Sequence, residues 1–462
     1  MIKPVLLWSD ALILLLLATV AALVWLARKN DTFRAPWRQV MASRTGSATA
    51  LILAIYAGIG LLDSLHYVER LPVAPGQAAQ YSGEVRSALD ALLTPLRENV
   101  EKTYSAPFAT HLYAKETVTG PNGRETRDYP RLEHGGAHLA DPEADFRPDV
   151  AERAGLGLLG GWLVWLLWRS WFGCRSGGAR FGLPSGYCRT EGLARQNYTL
   201  LSILLVAGIL TALAPHYHVL GTDKVGQDVL YLSLKSIRTG LLIGSLTTLI
   251  MLPFALALGI AAGYFGGRID DAIQYLYTTL NSIPGVLLIA AAVLVVQVQI
   301  ETHAELFETA AARSDVRLLA LCAILGVTGW TGLARLLRAE ALKLRELEFV
   351  QAARAFGVTN ARILLRHLLP NVMHLVLITV VIDFSGLVLA EAVLSYVGVG
   401  VDPGMISFGN MINGARLELA REPVVWWQLA AAFVFMFVLV LAANLFSDQV
   451  RDALDPKSGG SR

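Results

Sequence analysis

The stretch LLIGSLTTLIMLPFALALGIAA, Leu241 to Ala262, contains no charged side chain. As an α-helix rising about 1.5 Å per residue it is roughly 30 Å long, the thickness of a bilayer's hydrocarbon core. A helix in a soluble core does not need so long an apolar run. Leu12 to Ala27 reads the same way, and the whole chain agrees. Of 462 residues, 54% are hydrophobic and 16% charged, with a mean hydropathy of +0.49. Soluble domains average about 45–50% apolar and about 25% charged residues. The chain is therefore read as an all-α, polytopic membrane protein. Its net charge of +2 gives no sign of a nucleic-acid partner. Cys174, Cys188 and Cys322 are too few and too scattered for a disulfide framework or a zinc site, and no metal is expected. The run after Trp8 is followed by Arg28, Lys29 and Arg34 and has no basic segment before it. That reverses the charge order of a signal peptide, so it is read as a retained first span.

Nine spans are expected, at 9–27, 46–63, 155–172, 198–215, 237–263, 272–299, 316–334, 371–397 and 428–447. Lys and Arg accumulate in cytoplasmic loops, and here they sort by parity. Segments 28–45, 169–195 and 335–366 are strongly basic, the last with Arg335, Arg338, Lys343, Arg345, Arg354, Arg362 and Arg366 against three glutamates. Segments 300–315 and 399–425 carry more acids than bases. With nine spans all basic loops share one side, which puts the N-terminus outside and the C-terminus in the cytoplasm. Segment 64–154 then lies outside. It is polar and without a periodic core, so a small extracytoplasmic lobe and a loosely ordered insertion both fit. Trp162, Trp165, Trp168 and Trp171 recur every third residue in the third span and read as lipid contact and interfacial anchoring. Glu133, His134 and His138 read as a solvated loop, and His216 and His218 as a pair at a membrane edge.

The most informative loop runs over 338–370. Glu346 to Phe356 reads as a helix ending at Gly357, since glycine suits the left-handed position beyond a helix C-terminus. Thr359 or Asn360 can cap a second helix, Ala361 to Leu369, and Pro370 suits the first turn of the next span. An alanine-rich helix–turn–helix protruding on the basic side can be approached closely by another protein; an ordinary amphipathic connector is the alternative.

Four ordered motifs carry a resemblance. Val350-Gln351-Ala352-Ala353-Arg354-Ala355-Phe356-Gly357 with Ile363 to Asn371 resembles the EAA loop of binding-protein-dependent ABC importer permeases of the dipeptide/oligopeptide type. His218 to Asp228, with Gly221, Thr222, Asp223, Gly226 and Asp228, resembles that family's extracytoplasmic H-x-L-G-T-D-x-x-G-R-D signature. Glu391 to Gly400 resembles its E-A-x-L-S-F-L-G-L-G segment, and Arg451 to Pro456 its C-terminal R-D-A-L-D-P. The match covers about 198–456. Gln351 replaces the leading Glu of the EAA motif, and Gln227 the usual Arg of G-R-D.

The resemblance implies a type I ABC permease core at 198–462; it says nothing of 1–197, which is read as an extension of three further spans expected to pack beside the core. It implies cytoplasmic coupling through Gln351, Ala352, Ala353, Arg354 and Gly357, and no covalent chemistry in this chain. The implied partners are a second permease subunit forming a heterodimer, two cytoplasmic ATPases that hold the ATP, an extracytoplasmic solute-binding protein and membrane lipid. The implied place is a bacterial inner membrane, and the implied cargo is peptides or similar small solutes. No G-x-x-x-x-G-K-[ST] loop occurs, so no nucleotide cofactor is expected here. Candidates for the path are Asn281, Ser282 and Pro284, which interrupt the sixth span, and Asp383 and Glu391 in the eighth. For Asp383, lining the path and a structural hydrogen bond are both open; for Glu391, beside Ser395, the structural bond is favoured. The pairs Gly240/Gly244 and Gly259/Gly263 read as close helix packing. A reading from a different class is a membrane sensor or scaffold, with 64–154 binding a partner and a vestigial permease core.

Overall fold

The computed structural model describes residues 2–27, 31–71, 80–119, 125–175, 189–303, 305, 307 and 309–454. Arg28, Lys29, Cys188, Glu308 and the Asp455-Pro456 end of the last motif lie outside the described residues. A strand β1 (Ile2–Val5) leads into helices α1 (Trp8–Ala27), α2 (Asp31–Ala42) and α3 (Arg44–Asp63). Ser43 starts α3: its hydroxyl accepts from the Gly46 N–H at 3.0 Å, satisfying a donor that has no partner within the helix.

The segment left open between a lobe and a loose insertion is a folded lobe. Strands β2 (His66–Arg70) and β3 (Tyr81–Ser87) pair antiparallel, and β1 adds to the free edge of β2 with Val5 opposite His66. Short helices α4 (Ala88–Leu92) and α5 (Thr94–Glu98) follow, then a hairpin of β4 (Glu116–Thr119) and β5 (Glu125–Asp128). Ser87 and Asp90 form a reciprocal capping box at the start of α4. Polar composition hid this fold, because its core residues (Leu96, Tyr104, Leu139) pack against Tyr217 and Val219 of the segment leading into the bundle and against Trp427 of the bundle itself.

Helices α6 (Pro142–Arg175) and α7 (Arg189–Leu213) form a close hairpin through Gly157, Gly161 and Gly208. The bundle proper then begins with α8 (Val229–Phe265), 37 residues and therefore about 55 Å long. One end of α8 meets the lobe; the other reaches the basic loop. The sixth expected span, 272–299, is corrected. It is two helices, α9 (Gly267–Ser282) and α10 (Gly285–Thr302). Ile283 is extended at φ −91°, ψ 131° because the ring of Pro284 disfavours helical backbone before it.

Helices α11 (Ala310–Gly329) and α12 (Thr331–Leu344) run nearly continuously, so Arg338 is still helical rather than in a loop. After them come α13 (Glu348–Ala355), α14 (Asn360–Ile363), a π-turn at Leu364–Leu368, and α15 (Leu369–Val397) with Pro370 in its first turn. Finally α16 (Phe408–Glu418) packs between α15 and α17 (Trp427–Leu454). Among the described residues seven helices are long and apolar enough to cross a membrane. Two shorter apolar helices, Trp8–Thr19 and Tyr198–Leu213, coincide with the first and fourth expected spans.

Gly259 and Gly263 let α12 lie against α8: a Cβ there would sit 2.7 Å from Ala334 O and 2.5 Å from Arg338 O. The α6–α7 seam is as tight, with a Cβ on Gly208 falling 2.2 Å from Gly157 O. Gly208→Leu is expected to destabilise by about 1–3 kcal/mol, the usual cost of overpacking, and to lower the melting temperature of the purified chain in detergent. Gly155→Leu, with open space around its Cβ, is expected to leave it unchanged.

Candidate functional site: the two ends of the long helix

At the far end of α8, α13 is closed by a glycine motif. Gly357 has φ +73°, its N–H donates to Arg354 O at 3.1 Å, and the Val358 N–H donates to Ala353 O at 3.1 Å. This paired closure satisfies the last helix carbonyls. Val350 and Ile363 are buried against Tyr264, Leu337 and Val372, which ties the helix pair to α8, α12 and α15. Tyr264 donates its hydroxyl to Asn360 Oδ1 at 2.9 Å. Arg338 binds Asp270 of α9 through two hydrogen bonds of 2.5 and 2.6 Å, so α9 and α12 are clamped beside it. The hydrogen-bonded guanidinium holds the Asp270 carboxyl below its ordinary range.

The outer surface of α13 is open. Gln351, Ala352, Arg354 and Gly357 are exposed and Ala353 is half-buried, while the Gln351 amide donates back to Glu346 O at 3.1 Å. Sequence reasoning passed over Phe356, which is 87% exposed, the most exposed large apolar side chain described. Leu365 and Phe349 are exposed nearby in sequence. The signal was present in the chain: an aromatic set directly before the glycine that ends the helix.

The path candidates separate. Asn281, Ser282 and Pro284 are exposed together at the α9–α10 break, Asn281 Oδ1 accepting from Thr331 Oγ at 3.1 Å. Asp383 is half-buried and has no hydrogen-bond or ion-pair partner among the described residues. Glu391 is a different case. It is 1% exposed, and its Oε1 accepts from Ser395 Oγ at 2.8 Å and Ser407 Oγ at 2.9 Å. The Ser407 bond ties α15 to the start of α16, so Glu391 is withdrawn as a path residue: an enclosed, hydrogen-bonded carboxyl has no surface to offer a solute.

At the lobe end, the His218–Asp228 segment is threaded by the lobe. Asp228 caps α8, its Oδ1 accepting from the Leu230 and Tyr231 N–H groups at 2.8 and 3.2 Å. Its Oδ2 meets His218 Nδ1 at 2.8 Å, and His218 Nε2 meets Glu101 Oε1 at 3.3 Å. Glu101 also accepts from the backbone N–H groups of Glu133, His134 and Gly135 at 2.8–2.9 Å. His218 is thus no membrane-edge bystander but a buried link between two carboxylates. Thr222 Oγ donates to Thr103 O at 2.9 Å and accepts from the Ser105 N–H at 2.6 Å. Asp223 folds the loop tip by accepting from the Val225 and Gln227 N–H groups at 2.9 and 2.8 Å. Gly221 and Gly226 have φ +73° and +77°, and a Cβ on Gly226 would fall 1.7 Å from Glu101 O. The glycines serve backbone that is both left-handed and in contact.

Further basic groups of α8 also find acids in the extension. Lys235 lies 2.7 Å from Asp90 and 3.4 Å from Asp63. Arg238, buried, donates to Asp10 Oδ1 at 2.8 Å, to Ser9 Oγ at 3.1 Å and to Ser64 Oγ at 3.3 Å. Asp10 Oδ2 in turn meets His66 Nδ1 at 2.7 Å. Sequence reasoning missed this set, because partners 145 and 228 residues apart leave no local spacing to read.

Burial works against a charged His218, but hydrogen bonds to Asp228 and Glu101 outweigh it and raise its pKa to about 9. Glu101 is pulled down to about 2 despite its burial, by His218 and three N–H groups. The sign follows from linkage. The His218 contribution is whole below its ordinary 6.5 and lost as pH rises through about 9; that of Glu101 is whole above 4.5 and lost as pH falls through about 2. The opening free energy of the Gly135 amide, from hydrogen exchange corrected for intrinsic rate, is expected to fall from pH 6.5 to pH 9, and His218→Gln is expected to flatten that slope. Gly226→Ala is expected to undock the lobe and expose it to limited proteolysis.

Comparison with known proteins bears on the far end of α8 and the helices that follow it. Residues 255–459 match the family described as binding-protein-dependent transport system inner membrane component. The oligopeptide transport system permease protein OppC of Mycobacterium tuberculosis is 32% identical over 245 residues, covering 53% of this chain and 78% of the relative. The dipeptide transport system permease protein DppC of Bacillus subtilis is 29% identical over 240 residues, 52% of this chain and 69% of the relative. A chain from inward-facing MetNI methionine ABC transporter crystals covers 49% of this chain and 98% of its own length, at 18% identity and a TM-score of 0.39. This chain is a multi-pass membrane protein, and it belongs to the family of binding-protein-dependent inner-membrane components, the permease subunits of ABC importers.

Proposed function

We propose that the chain is one half of a heterodimeric permease in a bacterial inner membrane, importing peptides or similar small solutes. Its N-terminus is outside and its C-terminus cytoplasmic, as the alternation of basic and acidic loops requires. Two ATPases carry the nucleotide, and an extracytoplasmic binding protein delivers the solute. The names of the curated relatives support the peptide class.

The observation that carries the reading is the exposed α13 with Phe356 at its end, held on buried Val350 and Ile363. Such a helix moves as a rigid body, because its inner face is fixed to α8, α12 and α15 while its outer face is free. Ala352, Ala353 and Gly357 allow a close approach by an ATPase surface, Phe356 fills an apolar recess there, and Gln351 and Arg354 make polar contacts. Closure of the ATPase dimer then displaces α13, and the linked helices alternate the access of the path. Asn281, Ser282, Pro284 and Asp383 line that path. An unpaired acid within a span is stable only where water or a solute reaches it. The extension 1–197 acts as a brace of the core 198–462. No observation favours the sensor or scaffold reading.

Burying a phenylalanine is worth about 1.5–3 kcal/mol, or roughly a tenfold to hundredfold change in affinity. Phe356→Ser and Ala352→Arg are expected to weaken ATPase co-purification by at least about tenfold and to lower uptake of a labelled peptide in parallel. Unchanged complex and uptake would overturn the docking assignment.

A further inference from the structure

Segment 28–45, which joins α1 to α3, carries Arg28, Lys29, Arg34, Arg38 and Arg44 against the single acid Asp31. Within it α2 packs against α17 and α3. The chain bends at Ser43, whose N–H donates to Gln39 O at 3.1 Å and whose hydroxyl donates to Val40 O at 2.9 Å. A Cβ on Gly46 would fall 2.4 Å from Val40 O, so the corner is tightly closed and α2 is held off the line of α3.

The depth of α2 follows from α17. Trp427 opens α17 and donates its Nε1–H to Thr222 O at 2.9 Å, so it marks the lobe end of the bundle. The apolar run that follows, Leu429 to Phe446, is broken only by Asn444 and gives way to Ser447 and Asp448. Phe446 is thus about 28 Å along the helix from Trp427, at the far edge of a hydrocarbon core about 30 Å thick. The Trp37 ring lies against Phe446, with centroids 6.4 Å apart. By contrast Tyr264, which meets Asn360 beside α13, is about 52 Å along α8 from Val229. Helix α2 is therefore at the level where acyl chains meet headgroups, well short of the α13 surface.

The open side of the helix suits that level. Val40 is buried; around the helix Trp37 and Met41 follow at about 60° and 100° from it, and Arg38 at about 160°. Trp37 remains 47% exposed after meeting Phe446, and Met41 is 45% exposed. Arg38 and Arg44 are exposed and make no ion pair among the described residues. The acids of α17, Asp448 and Asp452, stand about 160° and 120° around that helix from Phe446, turned away from α2. We infer that α2 lies in the plane of the membrane surface and binds anionic phospholipid headgroups through Arg38 and Arg44, with Trp37 and Met41 set at the acyl boundary. A helix so placed gains twice, from apolar burial and from attraction to anionic lipid. The inference stands on the depth and charge of α2 and does not rest on the transport reading.

The test uses the full-length chain in nanodiscs of phosphatidylcholine, alone or mixed with phosphatidylglycerol. Hydrogen exchange over residues 36–44 is expected to slow at least about fivefold when phosphatidylglycerol is present, the equivalent of one arginine at an anionic surface. The difference is expected to shrink as salt is raised. Arg38→Gln and Arg44→Gln together are expected to abolish it while leaving exchange in phosphatidylcholine unchanged. Arg38→Lys and Arg44→Lys together, which keep the charge, are expected to retain it. Arg127→Gln, on an exposed strand of the lobe, is expected to retain it as well. Equal exchange in the two lipids, or a difference that survives the double glutamine substitution, would overturn the inference. Protection of α2 that appears only on adding the ATPase would overturn it too, and would assign this face to a protein partner.

Discussion

Arg238 projects from α8 with its guanidinium between Asp10, Ser9 and Ser64, none of which belongs to the permease core. Lys235, one turn earlier, is held by Asp90 and Asp63, and His218, just before the helix, by Glu101 as well as Asp228. Removing one partner of a buried ion pair costs about 3–5 kcal/mol, because the remaining charge is left in low dielectric. Three such positions along the lobe end of one helix make the extension and the core electrostatically interdependent. The extension supplies acids and hydroxyls; the core supplies bases.

That coupling gives α8 its place in the architecture. Asp228 caps its first turn while its other oxygen reaches His218, so the helix start and the lobe are fixed by one carboxylate. From there α8 extends unbroken to Tyr264, whose hydroxyl meets Asn360 beside α13. Gly259 and Gly263 bring α12 into backbone contact along the same stretch. Under the proposed coupling, a displacement of α13 would be imposed on a close-packed rod whose opposite end is held in a charged, hydrogen-bonded lobe. Close-packed interiors transmit such displacements rather than absorb them.

The loop motif from His218 to Asp228 also acquires a physical account. Gly221, Thr222, Gly226 and Asp228 are buried, and the polar groups of Thr222 and Asp228 are used within the chain. Only Lys224 and Val225 are exposed at its tip. The segment is a socket for residues 101–105 of the lobe, with little left over for an outside partner.

Much was legible from the chain alone. The apolar runs located the seven described helices that are long and apolar enough to cross a membrane, because transfer of side chains into hydrocarbon follows local composition. The end of α13 at Gly357 was legible as well, since helix termination is decided within a few residues by left-handed backbone. The break at Pro284 was visible as an interruption, yet only the structure divided it into α9 and α10. The fold of the lobe, the enclosure of Glu391, the exposure of Phe356 and the acids that neutralise Arg238, Lys235 and His218 were decided by tertiary structure. Each depends on groups brought together across 10 to 228 residues, or on the absence of a neighbour in space. Neither leaves a mark on local spacing, because burial and charge pairing are properties of three-dimensional contact.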